Sequence, residues 1–164
     1  MRQDEGQAAV ELQPIGVIHS GWDQPQGTPI QPRMAEGAGG WVDLFEPYAE
    51  GLGDIEGFER IWLIYHFHRT SAMKLTVTPF LDTQSHGVLA TRSPARPNGI
   101  GISCLRLVAC NGRRLELADV DIVDGTPLLD IKPYVPKFDR FDVDRCGWID
   151  AARASRSLAD DRFA

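Results

Sequence analysis

Cysteine is scarce in this sequence. It occurs only as Cys104, Cys110 and Cys146, and no two of these have CxxC spacing. Such an odd and sparse set excludes a disulfide framework and a structural zinc site built on paired cysteines. We therefore expect three reduced thiols that pack as small apolar side chains.

Positive charge is also in short supply. The chain has 17 Lys and Arg against 23 Asp and Glu, which gives a formal net charge of -6. A protein that holds nucleic acid by overall basicity needs many cations to neutralise phosphates. The composition therefore indicates no DNA partner and leaves RNA binding only to a local basic patch.

Long apolar runs are missing as well. No stretch approaches the roughly 18 apolar residues of a membrane span. The first residues, MRQDEGQAAVELQP, carry acids where a signal peptide needs a basic and then an apolar segment. We expect a cytoplasmic chain without a membrane partner, and its 164 residues are enough for one domain.

Helical periodicity is almost absent, and short strand-like segments take its place. Many short strands predict a mainly β, single-domain barrel or sandwich, and segments that are apolar on both faces favour a closed barrel. We expect a flexible N-terminus at 1–13, the barrel domain at 14–138 and a polar tail at 139–164 with a short helical end from Ile149. The predicted strands are 15–19, 41–45, 60–69, 75–80, 87–91, 101–110, one that starts at Arg114, and 128–133.

Two local patterns refine this prediction. Asn111-Gly112 indicates a hairpin, because both residues tolerate the positive φ angles of a tight turn. In the returning strand the apolar phase changes between Leu117 and Val120, so we expect a β-bulge near Ala118. The Pro- and Gly-rich segment 21–40 is too broken for a regular element, and a loop of that length in a small domain is usually functional or mobile.

The segment ATRSPARPNGIGIS, residues 90–103, has half of the GxGxxG pattern of dinucleotide-binding loops. In the Rossmann fold a helix follows the glycines and faces the pyrophosphate. Here ISCLRLVAC follows, which is rich in strand formers, so the pattern indicates a non-Rossmann fold. The simplest alternative is a β-turn at Arg96-Pro97-Asn98-Gly99.

Three longer blocks carry a family resemblance. HGVLATRSPARPNGIGISCLRL, IEGFERIWLIYHFH before it and DGTPLLDIKPYVP after it are similar, in this order, to the TrmO family, also called TsaA-like. The resemblance implies a homodimeric β-barrel tRNA methyltransferase that uses S-adenosylmethionine. It also implies methylation of N6 of N6-threonylcarbamoyladenosine, the modified base 3′ of the anticodon in some threonine tRNAs.

The chain departs from the family pattern at two places. The family usually has proline where this chain has Gly99, and often a PRQ-like segment where this chain reads Pro29-Ile30-Gln31. We expect a looser turn at the first place and an altered cofactor or tRNA contact at the second. We also expect the C-terminal domain of longer members to be missing after the DIKPY block.

The resemblance implies where the site residues lie. For S-adenosylmethionine it implies contacts from Gln31, Pro32, Arg33, Phe67, His68, Arg92, Ile102, Leu105, Asp124, Gly125, Thr126 and Pro127. For the tRNA we expect contacts from Arg92, Arg96, Asn98 and Lys132. His66 and His68 should share one strand face and could bind a metal, but no third ligand has metal-like spacing, so we predict no metal.

Methyl transfer to N6 releases a proton, and we take His68, Asp124 and Asp130 as candidate acceptors with a catalytic role. To reconcile RNA binding with the acidic composition, we expect a cluster of cations around the pocket, formed by Arg33, Arg92, Arg96, Lys132 and Lys137. Two alternatives stay open. One is a regulatory module that binds S-adenosylmethionine or a small ligand without acting on tRNA; the other is a hydrolase, for which Ser93, Ser103 and Cys104 have no base nearby in sequence.

Overall fold

The computed structural model describes residues 9–70, 72–152 and 156–163. Six antiparallel strands form a closed barrel in the order β1-β2-β7-β6-β3-β8, and β4 and β5 form a separate two-stranded sheet. The predicted mainly β barrel is confirmed. The strands are β1 Gly16–Ser20, β2 Gly40–Leu44, β3 Arg60–His66, β4 Thr76–Val77, β5 His86–Gly87, β6 Ile100–Asn111, β7 Arg114–Ala118 and β8 Thr126–Pro133.

Helical structure is confined to short segments. The α-helix α1 covers Pro136–Asp139, and single 3-10 turns or short 3-10 helices occupy Pro32–Met34, Glu46–Leu52, Ile55–Gly57, Val88–Ala90, Gly147–Ala151 and Asp161–Phe163. Among the described residues no helix is long and apolar enough to cross a membrane. Residues 1–8, which belong to the predicted flexible N-terminus, lie outside the described residues.

The barrel core follows from strand alternation. In β3, Ile61, Leu63 and Tyr65 point inward and are buried, while Trp62 and Ile64 on the other face are half-buried. On the outer face the Trp62 ring packs edge-on against Tyr134, with ring centroids 5.8 Å apart. The segment is apolar on both faces because the barrel core buries one face and residues outside the core partly cover the other.

The hairpin prediction is confirmed, with Asn111 paired to Arg114 and Gly112 at φ +63° in the turn. The predicted bulge near Ala118 is wrong. The register shift lies in β6 between Leu107 and Ala109, and β7 simply ends at Ala118. Asp119 then adopts a left-handed φ of +67°, which changes the apolar phase without an inserted residue.

Two predicted strands, 75–80 and 87–91, are much shorter in the structure. Only Thr76–Val77 and His86–Gly87 pair, and the chain after them forms the 3-10 turn Val88–Ala90. Pro79 cannot donate a ladder hydrogen bond, and Leu75 on this segment is exposed. Apolar composition alone was therefore not sufficient to predict strand length in these two segments.

The helical end predicted from Ile149 is also wrong as a single element. Gly147–Ala151 is a short 3-10 helix, and the next described segment, 156–163, runs extended before the last turn. Its backbone bonds go to the loop after β1: Ile30 N–H donates to Ser157 O at 2.9 Å, and Ala159 N–H donates to Thr28 O at 2.8 Å. We call residues 156–163 the C-terminal strap.

Candidate functional site

A cavity of about 710 Å³ opens at the barrel end where β3 finishes and β6 and β8 begin. Tyr65 and Phe67 from β3 and its extension line it, together with Gly101 and Ile102 from β6 and Thr126 from β8. Its volume is in the range of about 300 to 1,000 Å³ that is typical of ligand pockets. The closed barrel thus leaves one end shaped to bind a molecule.

The C-terminal strap forms the outer wall of this cavity. Phe163 is buried and packs edge-on against Phe80, with ring centroids 5.1 Å apart. The Arg162 guanidinium donates to Pro79 O at 2.9 Å and holds Asp160, whose pKa it lowers to about 2. Trp148, just before the strap, adds its ring beside the same cavity.

A buried polar group lies on the barrel side of the cavity. The Tyr65 hydroxyl and the Ser103 hydroxyl are 3.0 Å apart, and both residues are at most 5% exposed. Asp121 lines the cavity with Tyr65, and its Oδ1 atom is buried with no hydrogen-bond partner among the described residues. Buried polar atoms are nearly always paired, so this carboxylate oxygen is an exception that a bound group could resolve.

The backbone on both sides of Asp121 is fixed. Val120 and Ile122 are buried in the core. The Trp22 indole N–H donates to Val120 O at 2.8 Å, and the Ser20 hydroxyl donates to Ile122 O at 2.6 Å. Two core anchors and two hydrogen bonds therefore hold the Asp121 carboxylate at the cavity.

Burial perturbs the acids of this group. Burial raises the pKa of Asp121 to about 7, although the Ser103 hydroxyl and the Arg92 guanidinium act in the opposite direction. Burial and the Asp121 charge raise the pKa of Tyr65 above its ordinary value, so its phenol stays protonated. A cavity carboxyl that exchanges a proton near neutral pH is a common feature of active sites.

His68 lies at the same cavity in its neutral form. Burial, with Arg69 and His66, lowers the pKa of His68. The Thr126 hydroxyl donates to Val123 O at 2.6 Å and is 3.3 Å from His68 Nδ1, so Nδ1 carries the proton and donates to Thr126. His66 does not line the cavity, which makes the predicted common face of the two histidines wrong; β3 ends at His66, and strand alternation ends with it.

Three arginines reach the cavity, and they have different partners. The Arg92 guanidinium donates to Gln31 Oε1 at 2.8 Å. The Arg96 guanidinium donates to Thr91 O and Ser93 O, at 3.0 and 3.3 Å, so it supports its own turn. The side chain of Arg69 is exposed at the rim and donates to Asp23 O. Arg92 is thus positioned for an anionic ligand group.

The structure brings many of the predicted site residues to one cavity. Those that line it are Gln31, Phe67, His68, Arg92, Arg96, Ile102 and Thr126. Those next to lining residues in the chain, but not lining the cavity themselves, are Pro32, Asp124, Gly125 and Pro127, and Arg33 is two residues from the lining Gln31. Asn98 lies in the exposed turn before β6.

Four predicted site residues lie elsewhere, namely Leu105, Lys132, Asp130 and Asp124. Leu105 is completely buried in the barrel core, because it belongs to the inward face of β6. Lys132 Nζ pairs with Asp130 at 2.8 Å in the later part of β8, beyond the cavity end. Asp124 also faces away, since its Oδ1 is 3.1 Å from His19 Nδ1 and accepts the Ser20 N–H at 3.0 Å.

The predicted cation cluster is therefore wrong in part. Arg92 and Arg96 line the cavity, but Arg33, Lys132 and Lys137 do not. Arg69, which the prediction omitted, takes their place at the rim. Within the described residues no group of three or more His, Cys, Asp or Glu side chains is arranged to hold a metal ion.

Sequence reasoning also missed Tyr65 and Asp121, and it considered Ser103 only as the nucleophile of a hydrolase. Strand alternation places Asp121 on the face opposite to Val120 and Ile122, so the pattern predicts a solvent-exposed side chain. The signal that could have found it is its position, three residues before the DGTP segment and between two core residues. A charged residue enclosed in this way is rarely a plain surface residue.

Residues 17–140 match the family model described as tRNA-methyltransferase O N-terminal domain. The chain is 51% identical over 152 residues to a probable S-adenosyl-L-methionine-binding protein of Pyrococcus abyssi, and the match covers 92% of this chain and 83% of that protein. It is 37% identical over 139 residues to the tRNA (adenine(37)-N6)-methyltransferase of Escherichia coli strain K12, with 79% of this chain and 59% of that enzyme covered.

A solved structure shows the same fold. The crystal structure of TrmO from Pseudomonas aeruginosa superimposes with a TM-score of 0.72 at 38% identity, covering 85% of this chain and 62% of that one. The chain thus spans about three fifths of the length of this protein and of the Escherichia coli enzyme.

Proposed function

The chain belongs to the tRNA-methyltransferase O N-terminal domain family, and from this premise we propose that it is an S-adenosylmethionine-dependent tRNA methyltransferase that modifies N6 of an adenosine. The observation that carries the proposal is the cavity at the barrel end. It combines a buried, unpaired carboxylate oxygen, an arginine and aromatic walls in one space. These are the groups that a charged nucleoside cofactor and a flat base require.

The residues of the cavity fit S-adenosylmethionine. Arg92 suits the carboxylate of its methionine part, because a guanidinium pairs with a carboxylate through two parallel hydrogen bonds. Phe67 and Ile102 offer apolar surface for its adenine, and Gln31 fixes Arg92 from the neighbouring loop. When bound, S-adenosylmethionine supplies a methyl group that is electrophilic because its sulfur is positively charged.

The chain's own contribution is alignment of the reacting groups. The buried neighbours Val120 and Ile122 hold the backbone at Asp121, and the strap lines one side of the cavity. Holding two reactants in line lowers the barrier by up to about 7–11 kcal/mol in well-oriented systems. Fixed dipoles and charges around the reacting atoms add to this effect.

We propose that the substrate base is N6-threonylcarbamoyladenosine next to the anticodon of threonine tRNAs, read in the cytoplasm by a homodimer. The support is chemical. The carbamoyl group makes the N6 proton more acidic, and the threonyl carboxylate gives the cationic rim a second anion to bind. Arg69 and Arg96 are the rim cations that remain once Arg92 holds the cofactor.

The proposal is tested with tritium-labelled S-adenosylmethionine and two tRNA preparations, one carrying the threonylcarbamoyl group and one lacking it. We expect label only in the modified tRNA, and loss of that label with Arg92→Ala. Transfer to both preparations would contradict the proposed base, and transfer to neither would contradict the methyltransferase assignment.

A second candidate is a module that binds S-adenosylmethionine without acting on tRNA. The Pyrococcus abyssi protein, which this chain matches over 83% of its length, is named only for such binding. Calorimetry separates the two candidates in the same preparation. Micromolar binding of S-adenosylmethionine without transfer to either tRNA would favour the module.

A further inference from the structure

Asp121 is a partly buried acid of the cavity, and the proposed function gives it no role. Its Oδ1 atom is buried without a hydrogen-bond partner among the described residues, and the residue lines the cavity beside Tyr65. A buried oxygen without a partner destabilises the protein, and more so when the group is charged. Such a group at a fixed position in a cavity indicates an atom that finds its partner when a ligand is bound.

We propose that Asp121 is the catalytic base that takes the N6 proton during methyl transfer. This inference rests on the proposed function and assigns a residue to its proton step. As the bond between methyl carbon and sulfur breaks, its electron pair stays on sulfur. The bond from methyl carbon to N6 forms, and the N6 proton passes to the Asp121 carboxylate, which becomes a neutral acid.

Asp160 also lines the cavity, but its carboxylate is held in ion pairs by Arg156 and Arg162. Charge favours Asp121 over His68, the remaining acceptor. With Asp121 as base, the positive sulfur and the negative carboxylate both become neutral. Cancelling opposite charges is favoured in a site where burial already penalises each ion. With neutral His68 as base, a positive charge would instead arise beside Arg69, whose charge already lowers the His68 pKa.

The two aspartates proposed from the sequence are less suited to this role. Asp124 is 3.1 Å from His19 and accepts the Ser20 N–H at 3.0 Å, and it does not line the cavity. Asp130 accepts the Ile131 N–H at 2.9 Å and pairs with Lys132 at 2.8 Å. Both carboxylates have partners and lie outside the cavity, whereas Asp121 lines the cavity and its buried Oδ1 has no hydrogen-bond partner among the described residues.

The pH dependence of the reaction follows from the groups around Asp121. The charged and titratable side chains that line the cavity with Asp121 come from three parts of the chain, and the Ser103 hydroxyl of β6 lies next to one of them, Tyr65. They are Tyr65, His68 and Arg69 in β3 and its extension, Arg92 and Arg96 in the 91–96 turn, and Asp160 in the strap. Burial raises the Asp121 pKa to about 7 in the free protein, and the positive sulfur should lower it again. Only the carboxylate accepts a proton, so the rate should fall tenfold per pH unit below the pKa in the complex and level off above it.

The first experiment compares wild type with Asp121→Asn in single-turnover methylation at saturating S-adenosylmethionine and modified tRNA. We expect the rate constant to fall about 100- to 10,000-fold, the usual contribution of a general base. Asn has the shape of Asp but accepts no proton. The fall in rate at low pH should therefore be absent from the pH profile of this variant. Binding of S-adenosylhomocysteine, which lacks the positive sulfur, should change no more than a few-fold.

Asp142→Asn is the matched control. The Asp142 side chain is 95% exposed and pairs only weakly with Arg140 at 3.5 Å. The same change of charge there should leave the rate constant and its pH profile as in wild type. A rate for Asp121→Asn within threefold of wild type, with an unchanged pH profile, would overturn the inference and leave the proposed function standing.

The second experiment does not need turnover. Carbon-13 NMR of Asp-labelled wild-type protein follows the Asp121 carboxyl, identified by its loss in Asp121→Asn, during pH titration. We expect its pKa to be at least one unit lower with S-adenosylmethionine than with S-adenosylhomocysteine, since these differ in the charge on sulfur. Equal values would mean that Asp121 does not face the reacting atoms and would overturn the inference.

The two experiments separate the possible failures. If wild type methylates no tRNA, the proposed function fails and the catalytic role of Asp121 fails with it. If wild type methylates the modified tRNA and Asp121→Asn does so equally well, only the role of Asp121 fails. A slow variant with intact S-adenosylhomocysteine binding and a charge-dependent pKa supports both.

Discussion

Gly101 lies on β6 directly against the ring of Tyr65. A Cβ atom at this position would be 2.3 Å from Tyr65 Cε2 and 2.9 Å from Phe67 Cζ. The backbone at Gly101 has no positive φ, so the missing side chain, and not conformational freedom, is what the site requires. The close approach places the Tyr65 hydroxyl at Ser103 and its ring at the cavity.

Gly101→Ala should therefore displace the Tyr65 ring and destabilise the protein. Overpacking of a core costs about 1–3 kcal/mol, and the loss of the Tyr65–Ser103 hydrogen bond adds about 1 kcal/mol. Urea denaturation measures the change, with Gly51→Ala as the control because a Cβ atom at Gly51 meets nothing within 4 Å. An equal free energy of unfolding for the two variants would contradict this account of Gly101.

At the scale of elements, the C-terminal strap is held by the buried Phe163 ring, by the Arg162 guanidinium, which donates to Thr78 O and Pro79 O, and by a few backbone bonds. Phe163 belongs to a small cluster with Val77, Val88 and Ala95 that is separate from the barrel core. Truncating a buried phenylalanine costs about 3–5 kcal/mol. Because the cluster is local, Phe163→Ala should release the strap while the barrel stays folded.

Hydrogen exchange measures this release at the amides that pair strap and loop, those of Gly27, Ile30 and Ala159. A loss of about 3 kcal/mol corresponds to roughly 100-fold faster exchange there, with no change at β3 amides. Phe141→Ala is the control, since Phe141 is 78% exposed. Equally faster exchange at the barrel amides would show that the strap unfolds only together with the barrel, and would contradict a strap that opens on its own.

The elements also show what sequence reasoning can reach. The strand β3 and the Asn111-Gly112 hairpin were predictable, because alternation and turn chemistry are local properties. The strap was not, since its hydrogen bonds join residues far apart in the chain, and a polar composition reads as a tail. Asp121 was not predicted for a similar reason, because its position at the cavity depends on closure of the barrel, and no local sequence pattern indicates that closure.

At the scale of the whole molecule, a net charge of -6 must be reconciled with an RNA substrate. An excess of acids opposes phosphate binding by the molecule as a whole, and the arginines at the cavity are Arg69, Arg92 and Arg96. Arg92 is assigned to the cofactor and Arg96 donates to two carbonyl groups of its own turn. Phosphate contact by one protomer should therefore involve few ion pairs, with Arg69 the most available.

This predicts a shallow salt dependence of tRNA binding. Each phosphate neutralised contributes about -0.7 to the slope of log K against log salt for single-stranded RNA and about -0.9 for duplex. One to three contacts per protomer give a slope of roughly -0.7 to -2.7, measurable by filter binding between low and physiological salt. Arg69→Ala should reduce the magnitude of this slope by about one contact.

Arg140→Ala is the control for this measurement, because Arg140 is 73% exposed, pairs with Asp142 and does not line the cavity. It should leave the slope unchanged. A wild-type slope steeper than about -5 would contradict a single-protomer contact, because the described cavity of one protomer offers too few cations. The additional phosphates would then be bound by a second copy of the chain, and the slope should become shallower on dilution to monomer.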